Sequence, residues 1–370
     1  MTAVRIAGVA LMSARGATLA EAVTQVHAGS SEHGQMTIPT VEGACAIPYY
    51  AMARPPGSST GAALAQVCRD ALTEAALPAG ALNETPLFIG SSSLHIAEAE
   101  RGEHLGRLTG DLNELARRLK TTLGIGAADY TISTACTSSA HALLAAHALL
   151  AAGTCSHTLV VGIELANVAT AAGFHAMQLL GTGVARPFDR RRDGLVLGEA
   201  VAAVVLSRTP DAASPWRLEG GANRIDTRSV AGSDPGGDAT AGLLRRALAH
   251  AGLTASEIMI VKAHAAGSPG TDAAEAAALH SVFAPPPPVT SLKGYLGHLL
   301  GASGCAELAL LVGCWRAGFT PATAGFTAAD AALRLVPLEQ PLAGVPRRAL
   351  LNFLGFGGGQ AALIVSRDAV

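Results

Sequence analysis

The chain is poor in charge. Of 370 residues, 26 are Lys or Arg and 28 are Asp or Glu, 15% in all, and the formal net charge is −2. Without a cationic excess there is no electrostatic footprint for a polyanion, and 49% apolar residues supply ample material for a core, so a nucleic-acid binder and a disordered chain are both excluded. A C-x-x-C pair is also missing. The six cysteines, Cys45, Cys68, Cys136, Cys155, Cys305 and Cys314, stand far apart, which argues against a zinc site and a disulfide framework; neither a metal nor a cofactor is expected. No apolar run is long enough for a bilayer. The Ala/Leu-rich stretch from Ser139 to Gly153 is short and carries His141 and His147, so it reads as a buried helix and no membrane span is expected. The opening residues, MTAVRIAGVALMSARG, lack a long apolar segment and a small-residue cleavage site, which points to the cytoplasm.

What is present is an alternation of two patterns. Short Val/Ile/Leu runs, Thr158 to Ile163 and Ala200 to Leu206, read as buried strands, and Ala/Leu-rich helical stretches lie between them, with 42 Gly and 19 Pro for the turns. The class is α/β. The length suits two halves, and the turn-rich segment SRTPDAASPW, Ser207 to Trp216, is the expected boundary, giving residues 1–208 and 209–370. The halves look duplicated. Thr137 to Gly153 and Ala302 to Gly318 each open on small residues and end at a glycine suited to a helix C′ position; they agree at Ser138/Ser303, Leu143/Leu308, Ala152/Ala317 and Gly153/Gly318. Both halves also close on a strand-like run ending in Ser-Arg, at Arg208 and at Arg367. Duplication predicts two buried central helices side by side.

Chemistry concentrates at three points. Cys136, in TISTACTSSA, precedes the first central helix, where the positive end of the helix dipole and unpaired N–H groups favour a thiolate nucleophile; inert packing of a small residue is the other reading. His264, in IVKAHAAGSPGTDAAE, and His298, in TSLKGYLGHLLGASGCAE, follow apolar strands in turns rich in Gly and Ser.

Five blocks in order, TACTSSA, RPFDRRRDGLVLGEA, AHAAGSPGTD, LKGYLGHLLGASG and NFLGFGGGQAALIV, together resemble the β-ketoacyl-acyl carrier protein synthases, the elongating ketosynthases of the thiolase-like superfamily, in a short and divergent form. The resemblance implies a five-layered αβαβα fold of two duplicated halves, the nucleophilic cysteine in the first and both histidines in the second. It implies Cys136 as acyl acceptor, His264 and His298 as donors to the malonyl thioester oxygen, and Lys293 as the lysine that sets the charge of the site. Glu307 would support Lys293, since a buried carboxylate needs a partner. Phe356, with Gly355 and Gly357, would form the gate and, with Cys136, the backbone oxyanion donors. Ser268 keeps one of two hydroxyls with which the family holds phosphopantetheine; Ala266 loses the other, and Leu195 and Gln360 are further departures.

The implied reaction is decarboxylating Claisen condensation of an acyl group on Cys136 with malonyl-acyl carrier protein, giving β-ketoacyl-acyl carrier protein in fatty-acid or polyketide/aryl-polyene-type biosynthesis. The implied partners are acyl- and malonyl-loaded acyl carrier protein and a second ketosynthase chain, in a homodimer or heterodimer. Carrier protein would dock on a basic patch, the run Arg190, Arg191, Arg192 or the cluster Arg117, Arg118, Lys120. Two alternatives remain. One is a thiolase or initiating synthase, against which the Cys-His-His set stands; the other is a non-catalytic partner resembling a chain-length factor, favoured by Ala266.

Overall fold

The computed structural model describes residues 3–101, 113–209, 214–228, 232 and 234–368. Its first half runs β1 (Arg5–Met12), α1 (Leu19–His27), β2 (Gly34–Thr40), β3 (Gly43–Tyr50), α2 (Thr60–Ala75), β4 (Leu87–Gly90), α3 (Ile96–Glu100), α4 (Glu114–Leu123), β5 (Asp129–Ile132), α5 (Ser138–Ala151), β6 (His157–Glu164), α6 (Val168–Ala176), β7 (Leu197–Gly198) and β8 (Ala200–Ser207). The second runs β9 (Trp216–Ile225), α7 (Asp238–His250), β10 (Ile260–Lys262), α8 (Pro269–Val282), β11 (Val289–Thr290), α9 (Lys293–Leu296), α10 (Ser303–Arg316), β12 (Phe319–Thr320), β13 (Leu342–Ala343), β14 (Arg348–Leu354) and β15 (Gly359–Arg367). Residues 210–213, within the expected boundary segment, lie outside the described residues.

Strand order shows the internal repeat directly. The large sheet reads β11-β10-β14-β15-β9-β1-β8-β6-β4-β5. Going outward from the β9/β1 junction, each side follows the order first, fifth, fourth, second, third of its own five strands. The senses agree too: β8 is antiparallel to β1 and β6 as β15 is to β9 and β14, while β4 lies parallel to β6 and β5 as β10 does to β14 and β11. At the junction the ladder between the two fives is one residue pair, Arg5 opposite Arg217.

Layering follows from which faces are apolar. On β8, Val204 and Leu206 join the central core, where Leu363 and Val365 of β15 also lie. Their neighbours Ala203 and Val205 turn to Leu64 and Val67 of α2, and Ala362 and Ile364 turn to Leu243 and Leu244 of α7. Successive strand residues point to opposite faces, so a strand covered on both sides must be apolar throughout, and β6, β8 and β15 are buried almost end to end. Helices α5 and α10 fill the middle: α5 touches β4 and β6 on one side and β9 and β15 on the other. The result is five layers, αβαβα.

The expected pair of central helices is therefore present, and their contact is intimate. Gly304 of α10 lies so near α5 that a Cβ there would meet the Ala140 nitrogen at 2.2 Å, so any larger residue would push the helices apart. Helix α10 is enclosed on every side, with Leu308, Leu310 and Leu311 fully buried. Each such leucine contributes about 2 kcal/mol of apolar burial. A small sheet completes the site: β2 and β3 form a hairpin, β3 pairs with β7, and Ile38, Ile47 and Tyr49 of the hairpin join the apolar cluster around Cys136.

Candidate active site

The nucleophile turn is tighter than its sequence reveals. Between β5 and α5, Ala135 takes a left-handed conformation (φ 52°), a strained state for a residue with a Cβ. Local hydrogen bonds hold it there: the Ser138 hydroxyl donates to the Ala135 carbonyl (2.6 Å) and accepts from the Thr134 N–H (2.9 Å), and the Thr137 hydroxyl donates to the Thr134 carbonyl (2.8 Å). The turn aims the Cys136 side chain into a cavity of about 60 Å³ shared with His264, His298, Leu195, Ala266 and Phe356.

Burial works against the thiolate expected at this helix end. Cys136 precedes the N-cap Thr137 and is 4% exposed, and burial pushes its thiol up to about 11, against the opposing pull of the Phe356 and Cys136 amides and of Lys293. Removal from water thus opposes the thiolate that the helix end would favour. The same two N–H groups, of Phe356 and of Cys136 itself, face the sulfur, the location at which a tetrahedral oxyanion on that sulfur's carbon would be met.

His264 leaves β10 and His298 precedes α10. Their rings meet edge to face, centroids 5.2 Å apart at 87°. The Leu354 N–H donates to His264 Nδ1 (3.2 Å), which leaves the proton on Nε2 and makes that atom a donor. His298 is anchored through its backbone, its N–H donating to the Val196 carbonyl (2.6 Å) and its carbonyl accepting from Gly198 N–H (3.1 Å). Its Nδ1 is buried without a partner among the described residues. Burial, reinforced by the charge on Lys293, holds both imidazoles well below the usual histidine value, so both are neutral.

Lys293 and Glu307 pair as expected, both buried. Glu307 also has a partner that sequence reasoning missed, Lys262, whose Nζ lies 2.5 Å from the second carboxylate oxygen. Burial opposes ionisation of Glu307, but the two ammonium groups prevail and hold its carboxyl below the usual range. Two acids of α8 were missed as well. Glu275 accepts the N–H groups of His264 and Ala265 (2.7 Å each) and the Asn352 amide (2.6 Å); Asp272 accepts those of Phe188 (2.8 Å), Ala266 (3.1 Å) and Gly267 (3.2 Å). Lysine inside the apolar run IVKAHA, and acids in the first turns of the following helix, were the available signals.

Over the cavity, Phe356 stacks on Phe174 of α6, centroids 5.3 Å apart at 17°. The turn carrying Phe356 is permitted by Gly358, where φ is +74° and a Cβ would stand 1.8 Å from the Asp226 carbonyl oxygen. Ser268 and Thr271 both line the same cavity, and Thr271 is a hydroxyl that the motifs did not reveal. The basic stretches are partly engaged: Lys120 pairs with Asp129 (2.9 Å), Arg118 with Glu98 (2.6 Å), Arg191 with Asp189 (3.6 Å) and Arg192 with Asp330 (2.7 Å). Arg117 and Arg190 have exposed side chains, and Arg117 is engaged as well. Among the described residues no helix is long and apolar enough to cross a membrane, and no cluster of three His, Cys, Asp or Glu could hold a metal.

A duplicated αβαβα core is the fold of the thiolase-like proteins. Within that class, the family "Beta-ketoacyl synthase, N-terminal domain" matches residues 61–212 and "Beta-ketoacyl synthase, C-terminal domain" matches residues 218–327. The chain belongs to the β-ketoacyl synthase family. It is 31% identical over 279 residues to a putative mitochondrial 3-oxoacyl-[acyl-carrier-protein] synthase of Schizosaccharomyces pombe, covering 68% of this chain and 64% of that protein. It is 34% identical over 263 residues to the non-reducing polyketide synthase Preu3 of Preussia isomera, covering 64% and 10%. The chain thus spans less than two-thirds of the length of these relatives. Among solved structures, a β-ketoacyl synthase from Burkholderia phymatum superposes with a TM-score of 0.85 at 22% identity over all of both chains. The Xenorhabdus doucetiae ketosynthase ApeO in complex with its chain length factor ApeC superposes with a TM-score of 0.83 at 20% identity, over 99% of this chain and 98% of that one.

Proposed function

We propose that the chain is an acyltransferase that condenses an acyl group held on Cys136 with malonyl-acyl carrier protein. The observation that carries this reading is one cavity in which a sulfur faced by two amide N–H groups lies with two neutral imidazoles. In the first step the Cys136 sulfur attacks the thioester carbon of the acyl donor, its oxyanion held by the Cys136 and Phe356 amides. The carbon–sulfur bond of the donor breaks, and the departing carrier thiol takes the proton that Cys136 gives up. In the second, the bond between the malonyl carboxylate and C2 breaks. Carbon dioxide leaves and the electron pair becomes an enolate, whose oxygen is held by the Nε2–H of His264 and by His298. The enolate carbon then attacks the acyl carbonyl, the carbon–sulfur bond to Cys136 breaks, and the departing Cys136 sulfur takes a proton from solvent.

In this reading Lys293 and Glu307 set the charge beside the histidines, Gly355 and Gly357 let Phe356 swing aside, and Ser268 reaches the pantetheine arm. The duplicated halves are 1–208 and 209–370. Carrier protein and a second ketosynthase-type chain, identical or related, are the partners. The setting is the cytoplasm, in keeping with free cysteines throughout.

The test is intact-mass measurement after acyl-carrier protein and then malonyl-carrier protein. Acyl addition followed by its loss as β-ketoacyl-carrier protein is expected; an enzyme that stays unmodified would overturn the proposal. The small cavity and Ala266 favour one second reading, a non-catalytic partner resembling a chain-length factor. That reading requires no acylation alone and condensation only by a partner's cysteine.

A further inference from the structure

A buried lysine at the end of β10 has no role in the chemistry above. Lys262 is wholly inaccessible, yet it stands two residues before His264. Its Nζ donates to Glu307 Oε2 at 2.5 Å and to the Asn352 carbonyl at 2.8 Å, and lies 3.5 Å from the centre of the Phe353 ring. Burying an ammonium is costly unless it is paired and hydrogen-bonded, so this one is provided for by α10 and β14, the elements that carry Glu307 and Asn352.

The connections run further. Glu307 spends its other oxygen on Lys293 of α9, five residues before His298. Asn352, whose carbonyl takes Lys262, gives its amide to Glu275, and Glu275 holds the backbone N–H of His264. The charged groups facing Lys262 are therefore Glu307 from α10, Lys293 from α9 and Glu275 from α8, with His264 and His298 beside them. Each histidine is linked by a few residues of chain to one lysine, and a single carboxylate joins the two lysines.

We propose that Lys262 is a positioning residue for decarboxylation: through Glu307 and Asn352 it ties the two histidine-bearing segments together, and it places a second cation beside the imidazoles that receive the enolate. The inference rests on the condensing role proposed above. A charge in a dry interior acts far more strongly than in water, so the cation favours negative charge growing on the malonyl oxygen and disfavours a proton on either ring. Burial moves this ammonium down to about 8, so its charge is lost within an accessible pH range.

The experiment compares wild type with Lys262→Met and Lys262→Arg. In wild type, carbon dioxide release from malonyl-carrier protein should decline on the alkaline side with a midpoint at about 8, where this ammonium gives up its proton. Lys262→Met should lower that rate at neutral pH by about 10- to 100-fold, as a nearby buried charge acts strongly on charge developing in a dry site, and should reduce Cys136 acylation less. Lys262→Arg, whose charge does not titrate, should shift the alkaline limb upward. Histidine-ring NMR should show His264 or His298 titrating at higher pH in Lys262→Met than in wild type. Equal losses in acylation and decarboxylation, an alkaline limb unmoved in Lys262→Arg, or unchanged histidine titration would each overturn the inference. Should Lys262→Met fail to fold, the wild-type and arginine profiles decide. A wild-type enzyme without decarboxylation would remove the condensing role, and the histidine titration would still decide whether Lys262 acts on the imidazoles.

Discussion

His264 and His298 are brought edge to face, 5.2 Å between ring centres, from segments 34 residues apart in the chain. Replacing either by Ala should reduce decarboxylation of malonyl-carrier protein by about 100-fold, the cost of one lost oxyanion donor. Because burial and the charge on Lys293 hold both rings well below the ordinary histidine value, the rate should show no inflection in the usual imidazole range. Wild-type decarboxylation in either variant would assign that ring another role.

Cys136→Ala should abolish acyl-enzyme formation while leaving thermal unfolding near wild type, since the side chain lost is small. Intact mass after acyl-carrier protein reads this. A full acyl adduct on the variant would transfer the nucleophile's role to another residue.

The buried thiol sets a distinctive pH course for alkylation. With its ionisation pushed up to about 11, Cys136 should react with iodoacetamide about tenfold faster for each pH unit from 7 to 10, as the thiolate fraction rises. A rate that levels off near pH 8 would show that the helix end prevails over burial after all.

Glu307→Gln removes the carboxylate shared by Lys262 and Lys293 and leaves two buried ammonium groups without it. Unfolding in urea should reveal a loss of about 3–5 kcal/mol, as for other buried ion pairs deprived of one partner. The double variant Lys262→Met, Glu307→Gln should lose less than the sum of the two single changes. Strict additivity would mean that the pair does not interact.

Charge reversal at exposed Arg190 should raise the apparent KM for acyl-carrier protein and weaken its salt dependence, with little effect on a small acyl-thioester. Reversal at Lys120 should behave differently. Its ion pair with Asp129 makes structural loss on both substrates the expected result, so equal effects from the two changes would count against docking at Arg190.

Much of this arrangement was legible in the sequence because it depends on local pattern. The apolar runs of β6 and β8, the paired 14-residue helices and the Ser-Arg strand ends all follow from burial on both faces. Cys136, His264 and His298 stood out through their motifs, and Glu307 through the cost of an unpaired buried acid. What escaped was whatever depended on distance through space. Lys262 stands in an apolar run, but its partners Glu307 and Asn352 close around it from far along the chain, where no local pattern points to them. Ala135 carries no sign of its left-handed backbone, and at Cys136 the local helix end was visible while the enclosure that raises its thiol was not.

The repeated strand order makes the loop before α5 and the loop before α10 counterparts, at an offset of 165 residues. By that offset Cys136 corresponds to Gly301. Two topologically equivalent loops are thus put to two uses: the first presents the sulfur and the second, three residues earlier, presents His298. Topology is symmetric here while the labour is divided. Neither copy alone contains a complete set of reacting groups, so under the proposed mechanism a chain severed between β8 and β9 would turn over only if the fragments reassembled, and the recovery of activity on mixing would report that reassembly.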